Sequence, residues 1–274
     1  MMIATLLLSL ALAGSSCSEP SAVTPTDTPE AAVAFDQTHA LWSEVLAAHV
    51  QGDRFDYAKL KKDAAKLDAY LDALRAVTPQ ELAAWSKDER FAFWINAYNA
   101  FTIKKAVSSY PLKSIRDLDR AFGLKSVFDD EFIAMPGHHP DGKDDKLSLN
   151  DIENGILRPV FKDARVHAAI NCASYSCPAL LGRAFAAKDL EAQLDARMKA
   201  FVADPKRNRW SADERRFEHS EIFDWFEGDF ERDAGSVRAY LIRYAAPELA
   251  AKLKDAKLSS IDYDWSLNDV EPAK

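Results

Sequence analysis

The sequence predicts an α+β protein, a single helix-rich domain carrying a small, mainly antiparallel sheet. Three observations lead there. Long stretches space apolar residues three or four apart, the period of a helix face. Only nine glycines occur in 274 residues, against an abundance of Ala, Leu, Lys and Glu, so tight turns and hairpins are few. Short β-prone pieces cluster around polar turns, without the alternating strand–helix rhythm of a parallel sheet.

The chain opens "MMIATLLLSLALAGSSCSEP". Its apolar run from Ile3 to Ala13 is too short for a permanent membrane span but has the length of a signal-peptide core. Small residues then lead to Cys17, as in a bacterial lipoprotein signal, where the cysteine becomes the lipidated first residue. No Lys or Arg precedes the run, and Gly14 stands three before the cysteine, so cleavage after Ala13 remains the alternative. Residues 1–16 read as the signal peptide and 17–33 as a disordered tether, since "SEPSAVTPTDTPEAAVAF" is too poor in apolar side chains to offset chain entropy. An exported, periplasmic protein held at the outer membrane through a lipid on Cys17 is the expected setting. A formal charge of −8 excludes the basic footprint of a nucleic-acid binder.

Residues 34–274 are expected to form the domain. "FDQTHALWSEVLAAHV" places Leu41, Val45 and Ala48 on one helical face, and "YAKLKKDAAKLDAYLDALRAV" repeats Leu60, Leu67, Leu71 and Leu74 between charges. "TPQELAAW" has the form of a capping box, with Thr78 as N-cap, Pro79 next and Glu81 third. "DERFAFWINAYNAFTIKKAV" is apolar all round, so it belongs inside, yet it carries Asn96 and Asn99 on one face. Buried amides either tie down neighbouring loops or line a polar site. Pro111 ends this helix, "FIAM" and "KLSL" form a hairpin, and "PGHHPDGKDD" is its solvated tip, with no metal-loop spacing. "LSLNDIENGILRPVF" is a short helix capped by Ser148 or Asn150 and stopped by Pro159.

"RVHAAI" reads as a buried strand and "CPALL" as a helix start with Pro178 in its first turn. Asp189 caps a long amphipathic helix, "NRWSADERRFEHS" is a hairpin, and short helices lie at "EIFDWF" and "SVRAYLIRY". In the acid-rich C-terminal motifs, Asp229 and Asp264 read as caps or loop anchors, and Trp225 and Trp265 as core.

The stretch "RVHAAINCASYSCPAL" holds the chemistry. A thiolate forms most readily beside an imidazole or at a helix N-terminus. Cys172 as nucleophile with His167 as base would make a cysteine-dependent hydrolase or acyltransferase, the chain turning at Asn171 to bring them together. Glu153 or Asn96 would orient the imidazole as third member. Arg158 would clamp an anionic group, and Asn99, Asn171, Ser174 and Ser176 would line the substrate site. Alternatively Cys172 and Cys177, the only thiols left once Cys17 is lipidated, form a disulfide of about 2 kcal/mol in the chain-entropy model. The protein would then be a non-catalytic binding module or scaffold of the envelope. A peptide, acyl or glycan ligand fits either reading; neither calls for a cofactor.

Taken in order, "FAFWINAYNAFTI", "YPLKSI", "LSLNDIENGILR", "RVHAAINCASYSCPAL", "FDWFEGDF" and "YDWSLND" resemble the bacterial members of the domain-of-unknown-function 547 family, from about Leu41 to Asp269. The resemblance implies an exported or membrane-associated bacterial protein, with plant relatives fused to coiled coils, and no established activity. It makes His167 and Cys172 the usual residues at their positions and Cys177 a replaceable one. His138, His139 and His219 match no motif of the family.

Overall fold

One long helix organises the rest. In the computed structural model, which describes residues 34–120, 124–142 and 145–270, α5 (Lys87–Ser109) runs through the core with every side chain from Phe91 to Ile103 buried. The stretches expected as signal peptide and tether, with Cys17, lie outside the described residues, as does Asp144 of the expected hairpin tip. A full capping box starts α5: Ser86 accepts from the Glu89 amide while the Glu89 carboxylate accepts from the Ser86 amide.

Among the described residues four helices precede it: α1 (Ala40–His49), α2 (Tyr57–Lys62), α3 (Ala65–Ala76) and α4 (Pro79–Ala84). A short antiparallel pair, β1 (Val50–Gln51) and β2 (Arg54–Phe55), separates α1 from α2. The stretch expected as one amphipathic helix breaks at residues 63–64 into α2 and α3, and Leu60, Leu67, Leu71 and Leu74 are buried as their spacing predicts. On α1 the buried stripe is Trp42, Val45, Leu46 and His49, one position on from the expected one, because the bulkier Trp42 takes the core and leaves Leu41 and Ala48 outside. Thr78 caps α4 by accepting from the Glu81 amide, but the reciprocal half of the box is made at α5 and at the 3-10 turn Ile115–Leu118 rather than at α4.

Among the described residues the strands form three separate small sheets, still mostly antiparallel. Beside β1–β2 stand the expected hairpin of β3 (Ile133–Ala134) with β4 (Lys146–Leu147), and a sheet in which β5 (Arg209–Ser211) pairs antiparallel with β6 (Arg216–Ser220). There β7 (Lys257–Ile261) joins β6 in parallel. The helices α6 (Leu190–Ala203), α7 (Ile222–Trp225), α8 (Glu227–Ala234), α9 (Val237–Tyr244) and α10 (Pro247–Leu253) complete the chain. The helix-rich α+β class stands.

Several local expectations are overturned. "RVHAAI" is no strand: Ala164–Ala168 is a 3-10 turn whose first amides are taken by Asp163 and Asp233. A short apolar run has no periodicity to separate strand from buried helical turn, and capping decided it. "CPALL" is no helix, since the carbonyls of Cys177, Pro178 and Ala179 accept from Arg207, Asn171 and Arg197 side chains instead. Pro159 does not stop its helix. Asp151–Phe161 is wound as a π-helix ending at Lys162, and the wider turn relieves the clash a proline ring makes with the carbonyl one α-turn back. Ser148 is its cap, exchanging hydrogen bonds with Asp151. Gly155 is needed there, because a Cβ would lie 2.5 Å from a ring carbon of Pro140. Asp189 precedes α6 without making a cap bond.

Two apolar cores result. The larger surrounds α5; the smaller gathers Phe201, Phe217, Phe223, Phe230, Tyr240 and Leu241 from α6 to α9. Among the described residues no helix is long and apolar enough to cross a membrane.

Candidate functional site

A cavity of about 160 Å³ opens where the two cores meet. Tyr98 and Ile170 reach it from the larger core, Ile222, Phe226 and Tyr263 from the smaller one. Glu153, His167, Cys172 and Cys177 complete its wall together with Phe128, Asn150, Trp225 and Trp265. That volume is close to the ~150 Å³ that admits one benzene ring, so it suits a single ring-sized group.

The C-terminal segment is placed by backbone pairing. The Asn268 amide donates to the Ala173 carbonyl (3.1 Å), the Tyr175 amide to the Ser266 carbonyl (2.7 Å), and the Leu267 amide to the Lys113 carbonyl (2.8 Å). Stitched this way, Tyr263 and Trp265 form the wall facing the cysteine loop. Trp225 stacks on Trp265 at 5.8 Å and 18° and lies 4.7 Å from the Tyr263 ring. It is 46% exposed, so the expectation that Trp225 is core is corrected: it is a surface aromatic at the mouth.

Deeper in, three ionisable groups form a row. His167 Nε2 lies 2.9 Å from Asp229 Oδ2, and Nδ1 lies 3.8 Å from Glu153 Oε1, long for a direct hydrogen bond. Asp229 also accepts from Arg158 Nε (2.6 Å) and Arg232 (2.8 Å). Burial alone would raise the Asp229 carboxyl, but its bonds with His167 and Arg158 hold it well below the usual carboxylate range. An ionised carboxylate only accepts, so His167 carries its proton on Nε2 and turns the Nδ1 lone pair toward Glu153. Burial pushes the imidazole below its ordinary value and keeps it neutral; Asp229 opposes that shift, and the charges of Arg158 and Arg232 add to it. Phe226 stacks on the ring at 3.9 Å. Burial pushes Glu153 up to about 7, against the Arg158 charge and a Tyr98 hydrogen bond and with help from Asp229. A carboxyl at that value can give or take a proton near neutrality.

Cys172 and Cys177 are joined by a disulfide. The free Cys172 thiol beside an imidazole, expected above, is not what the fold contains, and both ring nitrogens of His167 face carboxylates. Ala173 turns the loop in the left-handed region, φ 65°, with its amide bonded to the Asn171 side chain (2.8 Å).

The remaining sequence-predicted residues divide. Glu153 joins His167, and Arg158 reaches it through Asp229. Asn96 does not: its amide exchanges hydrogen bonds with the Phe185 backbone at 2.8 and 3.0 Å. Asn99 bonds the Ala169 carbonyl (2.9 Å) and the Asn171 amide (2.8 Å). Asn171 fastens Pro178, Ser174 donates to Tyr263, and Ser176 accepts from the Asp264 amide, so all three brace the loop. Asp264 anchors a loop as read. Asp229, read as a cap or anchor, is the missed member of the site. Its signal was its spacing from Phe226, three residues and one helical turn, since both touch His167.

Fold and site together define a helix-rich α+β domain with an aromatic, ring-sized pocket walled on one side by a disulfide loop. Residues 82–202 match the family described as "Protein of unknown function, DUF547", which supports that domain family for the stretch holding α5, Glu153, His167 and both cysteines. No curated protein and no solved structure matches the chain.

Proposed function

We propose that this is a bacterial envelope protein, exported and tethered through a lipidated Cys17 at the outer membrane, whose pocket binds one sugar ring of a glycan. The observation that carries the binding reading is the aromatic mouth. Trp225, Tyr263 and Trp265 offer π faces to the C–H face of a ring, above a carboxyl, Glu153, that hydrogen-bonds in either protonation state. Export is supported by the apolar run before Cys17 and the tether after it. A cysteine-dependent hydrolase or acyltransferase would need Cys172 free and an imidazole nitrogen aimed at it. The bond to Cys177 and the carboxylate partners of His167 favour the binding module.

Titrating the oxidised protein with soluble cell-wall oligosaccharides, read by tryptophan fluorescence, tests the ligand class. A saturable change is expected, because Trp225 and Trp265 flank the pocket. No response to any sugar, with saturable binding of an uncharged apolar ring such as indole, would replace the glycan by an apolar ligand.

A further inference from the structure

We propose that the Cys172–Cys177 disulfide exchanges with thiols entering the pocket, Cys172 being the sulfur attacked and Cys177 the one released. The inference shares the pocket with the preceding reading but does not need a sugar ligand. Both cysteines line the cavity, yet unequally: Cys172 is half-buried while Cys177 is 4% exposed. An incoming thiolate therefore meets Cys172 first. The buried sulfur is the one supplied for departure. The Cys172 amide donates to Cys177 Sγ at 2.9 Å, while the Tyr263 hydroxyl is within reach of both sulfurs, 3.1 Å from Cys177 Sγ and 3.2 Å from Cys172 Sγ, and Ser174 Oγ lies 3.0 Å from Cys172 Sγ. Ser174 Oγ donates to the Tyr263 oxygen at 2.9 Å, which leaves the tyrosine proton free for sulfur. Burial holds the Tyr263 hydroxyl above its ordinary value, so it stays a donor.

Beneath the loop, the buried guanidinium of Arg207 donates to the carbonyls of Cys177 (2.7 Å) and Tyr175 (2.6 Å), and its charge is shared with Asp204 and Asp53. Hydrogen-bond donors stabilise a thiolate, and a stabilised thiolate is the better leaving group. A purely structural bridge needs neither a cavity beside it nor hydrogen-bond donors aimed at its sulfurs.

A substrate thiolate attacks Cys172 Sγ, a new S–S bond forms there, and the electron pair of the broken bond leaves on Cys177 Sγ. A second thiolate of the same substrate attacks the substrate sulfur of this mixed disulfide and releases Cys172. The substrate dithiol is oxidised by two electrons to a disulfide, the protein disulfide is reduced to two thiols, and the two protons lost by the substrate end on Cys172 and Cys177. The substrate class is an exported peptide with two cysteines, one flanked by an aromatic or aliphatic side chain that suits the pocket wall.

The test exposes the full, oxidised chain to reduced glutathione under native conditions, quenches with iodoacetamide and maps both cysteines by mass spectrometry. Glutathione is expected on Cys172 and the alkyl group on Cys177, with the circular dichroism unchanged. Tyr263→Phe is expected to slow opening about fivefold, the loss of one hydrogen bond to the leaving sulfur. A bond that resists glutathione until denaturant unfolds the chain, or adducts shared equally between the two cysteines, would overturn the proposal. The adduct position in the unaltered chain decides this even where Tyr263→Phe does not fold. Glycan binding is read on the oxidised protein, so failure here leaves that reading standing.

Discussion

Buried polar side chains within one turn of each other on α5 behave differently. Asn96 and Asn99 each make two hydrogen bonds to backbone, one donated and one accepted, to the Phe185 segment and to the start of the cysteine loop. Tyr98, between them in sequence, reaches instead toward Glu153, where a carboxyl has no full ion-pair partner and an imidazole nitrogen stands 3.8 Å off. Satisfied buried groups specify a fold; groups held short of satisfaction beside a cavity keep capacity for a ligand or a proton. The asparagines are scaffold, and the Glu153–His167–Asp229 row is site.

Breaking the scaffold should cost most. Asn99→Ala strips partners from the buried Ala169 carbonyl and Asn171 amide at once. At about 1–3 kcal/mol for each orphaned group, the loss is about 2–6 kcal/mol. Urea unfolding should show a lower midpoint, with a similar drop for Asn96→Ala. A loss under about 1 kcal/mol would mean that the loop does not depend on these amides.

The site should respond to pH in a way the scaffold does not. Glu153 titrates at about 7 when folded, against 4.5 ordinarily. Below 4.5 it is protonated in both states and its contribution is fully present. Between 4.5 and 7 the unfolded chain ionises while the folded one keeps its proton, so stability declines by about 3 kcal/mol in total at 1.36 kcal/mol per unit. Glu153→Gln keeps the shape without the charge. It should therefore be more stable than the parent at pH 8, by up to that amount, and the advantage should shrink toward pH 5. His167 works with the opposite sign: held neutral, it contributes above its ordinary 6.5, and that contribution is lost as the medium becomes more acid. Thermal melts of both proteins from pH 5 to 9 check this, and parallel curves would show that Glu153 is not a buried, proton-holding carboxyl.

The same division marks what the sequence could reveal. The buried character of α5, the leucine stripes and the hairpins were legible because periodicity and turn chemistry are local. His167 was legible as a residue type out of place among apolar neighbours, and Glu153 as a carboxylate sharing a helical face with Leu157. What joined them was not, since Asp229 lies 62 residues from His167 and its role depends on two cores meeting. Pairing of Cys172 with Cys177 was one of two open readings, because five residues of spacing suits a bridge and a reactive thiol equally. Trp225 was misread because a tryptophan between phenylalanines has the composition of core, and exposure is a property of packing, not of the string.

That residue gives the smallest expected effect and the sharpest separation of site from scaffold. Trp225 is nearly half exposed at the mouth of the pocket, and its ring contacts are with Tyr263 and Trp265. Trp225→Ala should change folding stability by about 0.5 kcal/mol or less, the range of a surface substitution. Losing one stacking face, about 1.4 kcal/mol, should weaken oligosaccharide binding about tenfold. Isothermal titration beside urea unfolding separates the two numbers. A stability loss above 2 kcal/mol with unchanged affinity would return Trp225 to the core and take away the platform on which the ligand assignment stands. Unchanged stability with weakened binding places the aromatic mouth with Glu153, among groups that the fold does not need for its own sake.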